Sequence, residues 1–81
     1  MEQFDLGKEF CNRCDALGIE IVDARYFVNE GVVYEFKSAE DLITVIPEYV
    51  KLGMQDPDGF KFTVTCTEDT YLLFDQYPDL D

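Results

Sequence analysis

The chain has 81 residues, with 18 Asp and Glu against 6 Lys and Arg and no His, so its formal net charge is −12. A chain of this length forms one domain and buries only about two thirds of its unfolded surface, which argues against an elaborate internal active site. Hydrophobic residues make up 47% of the sequence, enough for a packed core. The charge argues against direct binding to nucleic acid or to an anionic membrane, because like charges repel.

The cysteine count and the apolar runs indicate the compartment. The chain has three cysteines, an odd number, and no signal-like apolar N-terminus, which is typical of free thiols in a reducing cytosol. Its uninterrupted apolar runs are far shorter than the roughly 20 residues of a membrane span. We therefore expect a soluble cytoplasmic protein without a disulfide framework.

The N-terminal segment predicts a helix over residues 2–17. Leu6, Phe10, Cys14 and Leu17 form one apolar stripe at helical spacing, and Gly18 ends the helix. Acidic residues recur on the opposite side of this helix, where they favour its N-terminus electrostatically.

A β-hairpin is predicted next, with strands over residues 19–28 and 32–37. The intervening Asn29, Glu30 and Gly31 form a three-residue loop, in which Gly31 supplies a positive φ.

Residues 38–53 form the longest segment with a single helical period. Ser38 is a suitable N-cap, Gly53 is suited to the position that follows the helix, and Pro47 predicts a kink or a break. The predicted buried face comprises Leu42, Ile43, Ile46, Tyr49 and Val50.

The last third of the chain predicts a turn and two strands. Asp56-Pro57-Asp58-Gly59 is typical of a turn, and residues 60–67 alternate cleanly. A strand over 71–74 or slightly further and an acidic tail over 76–81 follow. The predicted inward residues of the alternating strand are Phe60, Phe62, Val64 and Cys66. The fold class is α+β, a two-layer sandwich in αββαββ order, with a four-stranded antiparallel sheet and two helices on one face.

The cysteines could in principle bind a metal. Cys11 and Cys14 form a C-x-x-C pattern and, with Cys66, could offer three thiolates to zinc. A fourth ligand is lacking, and Cys14 and Cys66 lie on stripes that the core needs. We therefore interpret Cys14 and Cys66 as core residues and expect no metal site and no cofactor.

The acidic pairs do not predict catalysis. Asp56 to Gly59 is similar to part of an EF-hand loop, but Met54 and Thr65 then occupy the first and last ligand positions. The other carboxylate pairs lie in turns or termini, where nothing raises a pKa, and no His is present as a base near neutral pH. We expect that the protein is not an enzyme.

Two interpretations of the charge remain: a surface that only keeps the protein soluble, or carboxylates that replace the phosphates of nucleic acid in a basic groove of a protein partner. In size and charge the chain resembles the small acidic inhibitors of phages and mobile elements, namely uracil-DNA glycosylase inhibitors, anti-restriction proteins and acidic anti-CRISPR proteins. That resemblance implies a counter-defence inhibitor in the host cytoplasm whose partner is a nucleic-acid-binding protein.

The predicted partner contacts are the densest acids not assigned to caps or turns: Glu2, Asp5, Glu9, Glu68, Asp69, Asp75, Asp79 and Asp81. The alternative is a regulatory or structural interaction module that recognises its partner through aromatic anchors such as Tyr26, Phe27 or Tyr71.

Overall fold

The computed structural model describes residues 4–78. The element order is α1 Leu6–Ala16, β1 Asp23–Phe27, β2 Gly31–Glu35, α2 Ala39–Gly53, β3 Lys61–Cys66 and β4 Tyr71–Gln76. All neighbouring strands are antiparallel, in the sheet order β1-β2-β4-β3. The predicted αββαββ order and α+β class are confirmed. Within residues 4–78, no helix is both long enough and apolar enough to span a bilayer.

The core lies between one face of the sheet and both helices. Phe10 of α1 packs on Tyr34 of β2 and on Tyr49 of α2, with ring centroids 5.1 and 5.5 Å apart. Tyr49 also contacts Phe62 of β3, at 5.1 Å. Because Tyr34 and Phe62 lie on the same face of the sheet, the two helices cover one face, as the sequence predicted.

Helix α1 is shorter than predicted at its N-terminus. It begins at Leu6 rather than at residue 2, because the Asp5 carboxylate accepts a hydrogen bond from the Lys8 amide at 3.1 Å and caps the helix. Its C-terminus is confirmed: Gly18 has a φ of 73° and follows the last turn. Leu17, predicted to be buried, is 44% exposed, because it lies outside the last turn that packs on the core.

Helix α2 begins where predicted, with the Ser38 hydroxyl accepting from the Asp41 amide at 3.2 Å. Its buried face is rotated relative to the prediction. Ile43 is 63% exposed, whereas Val45 is fully buried. The helix carries apolar residues around a wide arc, and periodicity alone does not tell which edge of that arc meets the sheet.

Two residues of α2 behave differently from expectation. The helix continues through Pro47, so the predicted break does not occur. Gly53 is the last helical residue rather than the residue after it. A Cβ at Gly53 would overlap a ring carbon of Phe60, so close packing favours glycine here.

The strands differ from the predictions mainly at their ends. Strand β1 begins at Asp23 rather than at residue 19. Strand β4 extends to Gln76, a residue that the sequence assigns to the acidic tail. The first hairpin and the positive φ of Gly31 are confirmed, but the three-residue loop is 28–30 rather than 29–31, because Gly31 pairs with Phe27 as the first residue of β2. Cys66 is exposed, which contradicts its predicted burial. It pairs with Tyr71 at the end of the last hairpin, at the end of the edge strand β3.

Candidate functional site

A groove of about 420 Å³ opens where the start of α1, the turn between α2 and β3, and the end of β4 meet. Such a volume lies within the roughly 300 to 1,000 Å³ of small-ligand sites. Its lining includes four aspartates: Asp5, Asp56, Asp58 and Asp75. Among the described residues, no Lys or Arg lines it. Three aromatic residues complete its walls: Phe4, Phe60 and Tyr77.

Two of the aspartates are placed by the turn between α2 and β3. The Gly59 amide donates to the carbonyl of Asp56 at 3.0 Å, with Pro57 at the second turn position as predicted. The Asp58 amide donates to the Asp56 carboxylate at 2.9 Å. Gly59 has a φ of 85°, which turns the chain into β3. The turn therefore holds both carboxylates at the groove.

Asp75 is the buried carboxylate of the groove. It lies on the inward face of β4 and is only 8% exposed. The Tyr49 hydroxyl donates to its Oδ1 at 2.6 Å, whereas Oδ2 accepts no hydrogen bond from any residue in the range 4–78. Burial raises the pKa of Asp75, the Tyr49 hydrogen bond lowers it, and the charges of Asp5 and Asp56 raise it further, with a net upward shift.

Helix α1 approaches this carboxylate at Gly7. A Cβ built there would lie 3.1 Å from the Tyr34 hydroxyl, 3.6 Å from an Asp5 oxygen and 4.0 Å from Oδ2 of Asp75. Three oxygens thus converge on a position without a side chain. Burial raises the pKa of Tyr34, and the neighbouring Cys11 and Asp75 raise it further, so its hydroxyl stays protonated.

The structure separates the predicted partner contacts. Asp5 lines the groove, although it is also the cap of α1, a role the sequence interpretation had not given it. Glu9 is partly buried on the same helix. Asp75 is another predicted partner contact, and here the structure is a correction: the side chain points inward because of its register in β4.

The other predicted contacts lie elsewhere or outside the described range. Glu68 and Asp69 are exposed in the loop before β4, whereas Asp75 is near the end of that strand. At about 3.3 Å per residue, the two regions are about 20 Å apart. Glu2, Asp79 and Asp81 lie outside the described residues.

The cysteines are placed in two environments. Cys14 is only 1% exposed, as predicted, and burial raises its pKa to about 11. Cys11 and Cys66 are exposed. Across residues 4–78, no group of three or more Cys, Asp or Glu side chains is arranged to hold a metal ion.

An exposed aromatic surface adjoins the groove. Strand β1 is an edge strand whose residues are all exposed, with Tyr26 at 62% and Phe27 at 42%. The Tyr26 ring lies 6.4 Å from the ring of Tyr77, which lines the groove. The third proposed anchor, Tyr71, is partly buried, and its hydroxyl donates to the Glu68 carbonyl at 2.9 Å.

Comparisons of the chain with protein families, with curated proteins and with solved structures found no match. The site is therefore interpreted from the residues of this chain. Sequence reasoning missed Asp56 and Asp58 as members of a site, because it assigned them to a solvated turn. No local pattern could have found them, because the groove joins the start of α1 to residues about 50 to 70 positions later in the sequence.

Proposed function

We propose that the protein is a small acidic binding protein that occupies a basic surface of a protein partner, one that otherwise binds nucleic acid. The proposal rests mainly on the acidic groove. Four aspartates from three segments of the chain meet there, and no Lys or Arg of the described residues neutralises them within its lining. A net charge of −12 adds long-range attraction to any basic partner. By filling that surface the protein acts as an inhibitor, in the manner of phage anti-restriction or anti-CRISPR proteins.

The spacing of the acids is consistent with replacing a nucleic-acid strand. The groove and the exposed Glu68 and Asp69 are about 20 Å apart along β4. Phosphates on one strand of a duplex follow each other every 3.4 Å of helix axis, so this span corresponds to about six phosphates. A partner surface that contacts both acidic regions would therefore have to extend over at least about 20 Å.

The test uses the lysate proteins that bind heparin at 0.1 M salt, passed over the immobilised protein. We expect a retained protein that duplex DNA or RNA displaces, and whose affinity falls steeply between 0.1 and 1 M salt, as the Debye length shrinks from about 10 to 3 Å. Reversing Glu68 and Asp69 to Lys should weaken retention without unfolding the protein, because both are exposed. Retention that is unchanged by 1 M salt, by competing nucleic acid and by this charge reversal would refute the proposal.

A second candidate function is favoured by β1. An edge strand that exposes Tyr26 and Phe27 offers unpaired backbone groups and aromatic anchors to a partner. This function would be an ordinary interaction module. This function predicts binding that persists in 1 M salt and is abolished by Tyr26→Ser. Electrostatic binding should instead be lost in 1 M salt and persist in Tyr26→Ser.

A further inference from the structure

We propose that the acidic groove binds the guanidinium group of an arginine side chain. The inference rests on the proposed function in one respect: a basic partner protein would supply the arginine. It goes further by assigning one groove and one kind of side chain, where the proposed function requires only attraction between charged surfaces.

The buried carboxylate of Asp75 points to a cationic ligand. Its Oδ1 accepts a hydrogen bond from the Tyr49 hydroxyl, its Oδ2 accepts none from residues 4–78, and Asp75 is one of the residues that line the groove. Asp75 as a residue is only 8% exposed, so its carboxylate keeps only part of the hydration that stabilises its charge, and a charged donor that reaches Oδ2 from the groove would replace the rest. Asp5 and Asp56 add negative charge nearby, as their effect on Asp75 indicates.

The walls of the groove favour guanidinium over ammonium. Guanidinium is planar, donates in a fork that matches carboxylates, and stacks on aromatic rings, whereas ammonium is a compact and strongly hydrated charge. The groove offers the rings of Phe4, Phe60 and Tyr77 beside its carboxylates. The Phe60 ring is held in place by α2, because it packs on Gly53 and its centroid lies 5.9 Å from that of the Tyr49 ring. A flat cation could therefore stack and form hydrogen bonds at the same time.

The N-terminus of α1 opposes cation binding, but weakly. A helix N-terminus carries about half a positive charge. Asp5 compensates for it directly, since its carboxylate accepts from the Lys8 amide. Asp56, Asp58 and Asp75 remain, so the groove stays strongly negative.

The experiment titrates the whole chain with three capped tripeptides, acetyl-Gly-X-Gly-amide, in which X is arginine, lysine or citrulline. Citrulline has nearly the shape of arginine but no charge. We expect the arginine peptide to shift the amide resonances of Gly7, Gly59 and Gln76, which line the groove. Its affinity should exceed that of the lysine peptide about threefold and that of the citrulline peptide at least tenfold.

Three variants remove one charge each while keeping the local hydrogen bonds. Asn can still accept the Tyr49 hydroxyl in Asp75→Asn, cap the helix in Asp5→Asn, and accept the Asp58 amide in Asp56→Asn. We expect Asp75→Asn to weaken arginine binding about tenfold and the other two about threefold. The matched control, Glu68→Gln, removes one charge about 20 Å away and should change the affinity less than twofold.

The outcomes separate this inference from the proposed function. Equal binding of the arginine and lysine peptides, or an effect of Asp75→Asn no larger than that of Glu68→Gln, overturns the guanidinium site. A partner captured from the heparin-binding fraction that is insensitive to Asp75→Asn but sensitive to the Glu68 and Asp69 reversal also overturns the site while supporting the proposed function. Arginine binding in the groove without any such partner supports the site and contradicts the proposed function.

Discussion

Replacing Asp75 by Asn should stabilise the fold at neutral pH, because the buried carboxylate is held at a cost in free energy. The pKa of Asp75 is raised above its ordinary value of 3.8 in the folded protein. Between pH 3.8 and the raised pKa, Asp75 therefore keeps its proton in the native state but has lost it in the unfolded state. The free energy of unfolding falls as pH rises through this interval. One proton gives a maximum slope of about 1.4 kcal/mol per pH unit.

The measurement is the free energy of unfolding by denaturant, for wild type and Asp75→Asn, at several pH values from 3 to 8. The other carboxylates titrate in both proteins, so the difference between the two curves isolates Asp75. We expect the difference in free energy of unfolding between the two proteins to be constant below pH 3.8. As pH rises through the raised pKa of Asp75, Asp75→Asn should become increasingly more stable than wild type, and the difference should level off above that pKa. A difference that grows in favour of wild type as pH rises would show that the carboxylate is stabilising and would refute the reasoning.

Tyr49→Phe provides the complementary change. It removes the donor at 2.6 Å and leaves the Asp75 carboxylate with no hydrogen bond from residues 4–78. A hydrogen bond to a charged group contributes about 1.5 to 3 kcal/mol and a neutral one about 1 kcal/mol. At pH 8, Tyr49→Phe should therefore cost about 1 kcal/mol more in the wild type than in Asp75→Asn. Equal costs in both backgrounds would mean that the two side chains are not coupled.

Three further predictions concern the fold. Val45→Ala should cost about 2 to 3 kcal/mol, because two methyl groups leave a fully buried site, whereas Ile43→Ala should change stability by less than about 0.5 kcal/mol; denaturant midpoints would compare them. In the native state Cys66 should react with a thiol reagent as fast as in denaturant, while Cys14 should react only on unfolding, which mass spectrometry after timed labelling would show. Gly53→Ala should destabilise by about 1 to 2 kcal/mol despite its better helix propensity, since its Cβ would overlap the ring packed there; thermal unfolding measures this.

The elements could be predicted because each depends on residues close in sequence. The Ser38 cap and the positive φ of Gly18 set helix boundaries through hydrogen bonds within one turn, and both were read correctly. The alternation of β3 predicted a half-buried strand for the same reason.

The orientation of each element against the others was less predictable. Ile43 and Val45 are both apolar and belong to one wide arc of α2, and only docking on the sheet decides that Val45 is buried. Cys66 continues the inward face of β3 but lies at the end of the hairpin, where it remains exposed. Periodicity gives the face of an element, whereas burial also depends on how far the neighbouring elements extend.

The groove could not be predicted, because its parts have separate local explanations. Asp5 is a helix cap and Asp56 is the first residue of a turn, and each is adequately explained by the hydrogen bond it makes to its own backbone neighbourhood. Asp75 has no such explanation. It interrupts an inward face that otherwise carries Tyr71 and Leu73, and a polar residue there was the one available signal in the sequence.

The burial of Asp75 is an argument against the interpretation that the acidity only keeps the protein soluble. A solubilising charge has its effect on the surface, where it costs little, and nothing in that role explains a carboxylate that is 8% exposed. Leu or Val in place of Asp75 would continue the apolar face of β4, and the Tyr49 hydroxyl would still have the Lys61 carbonyl at 3.3 Å as an acceptor. We therefore expect the fold to form without this charge. A carboxylate whose pKa is raised by burial and that lines a groove with three other carboxylates supports the proposed ligand site over a purely solubilising role.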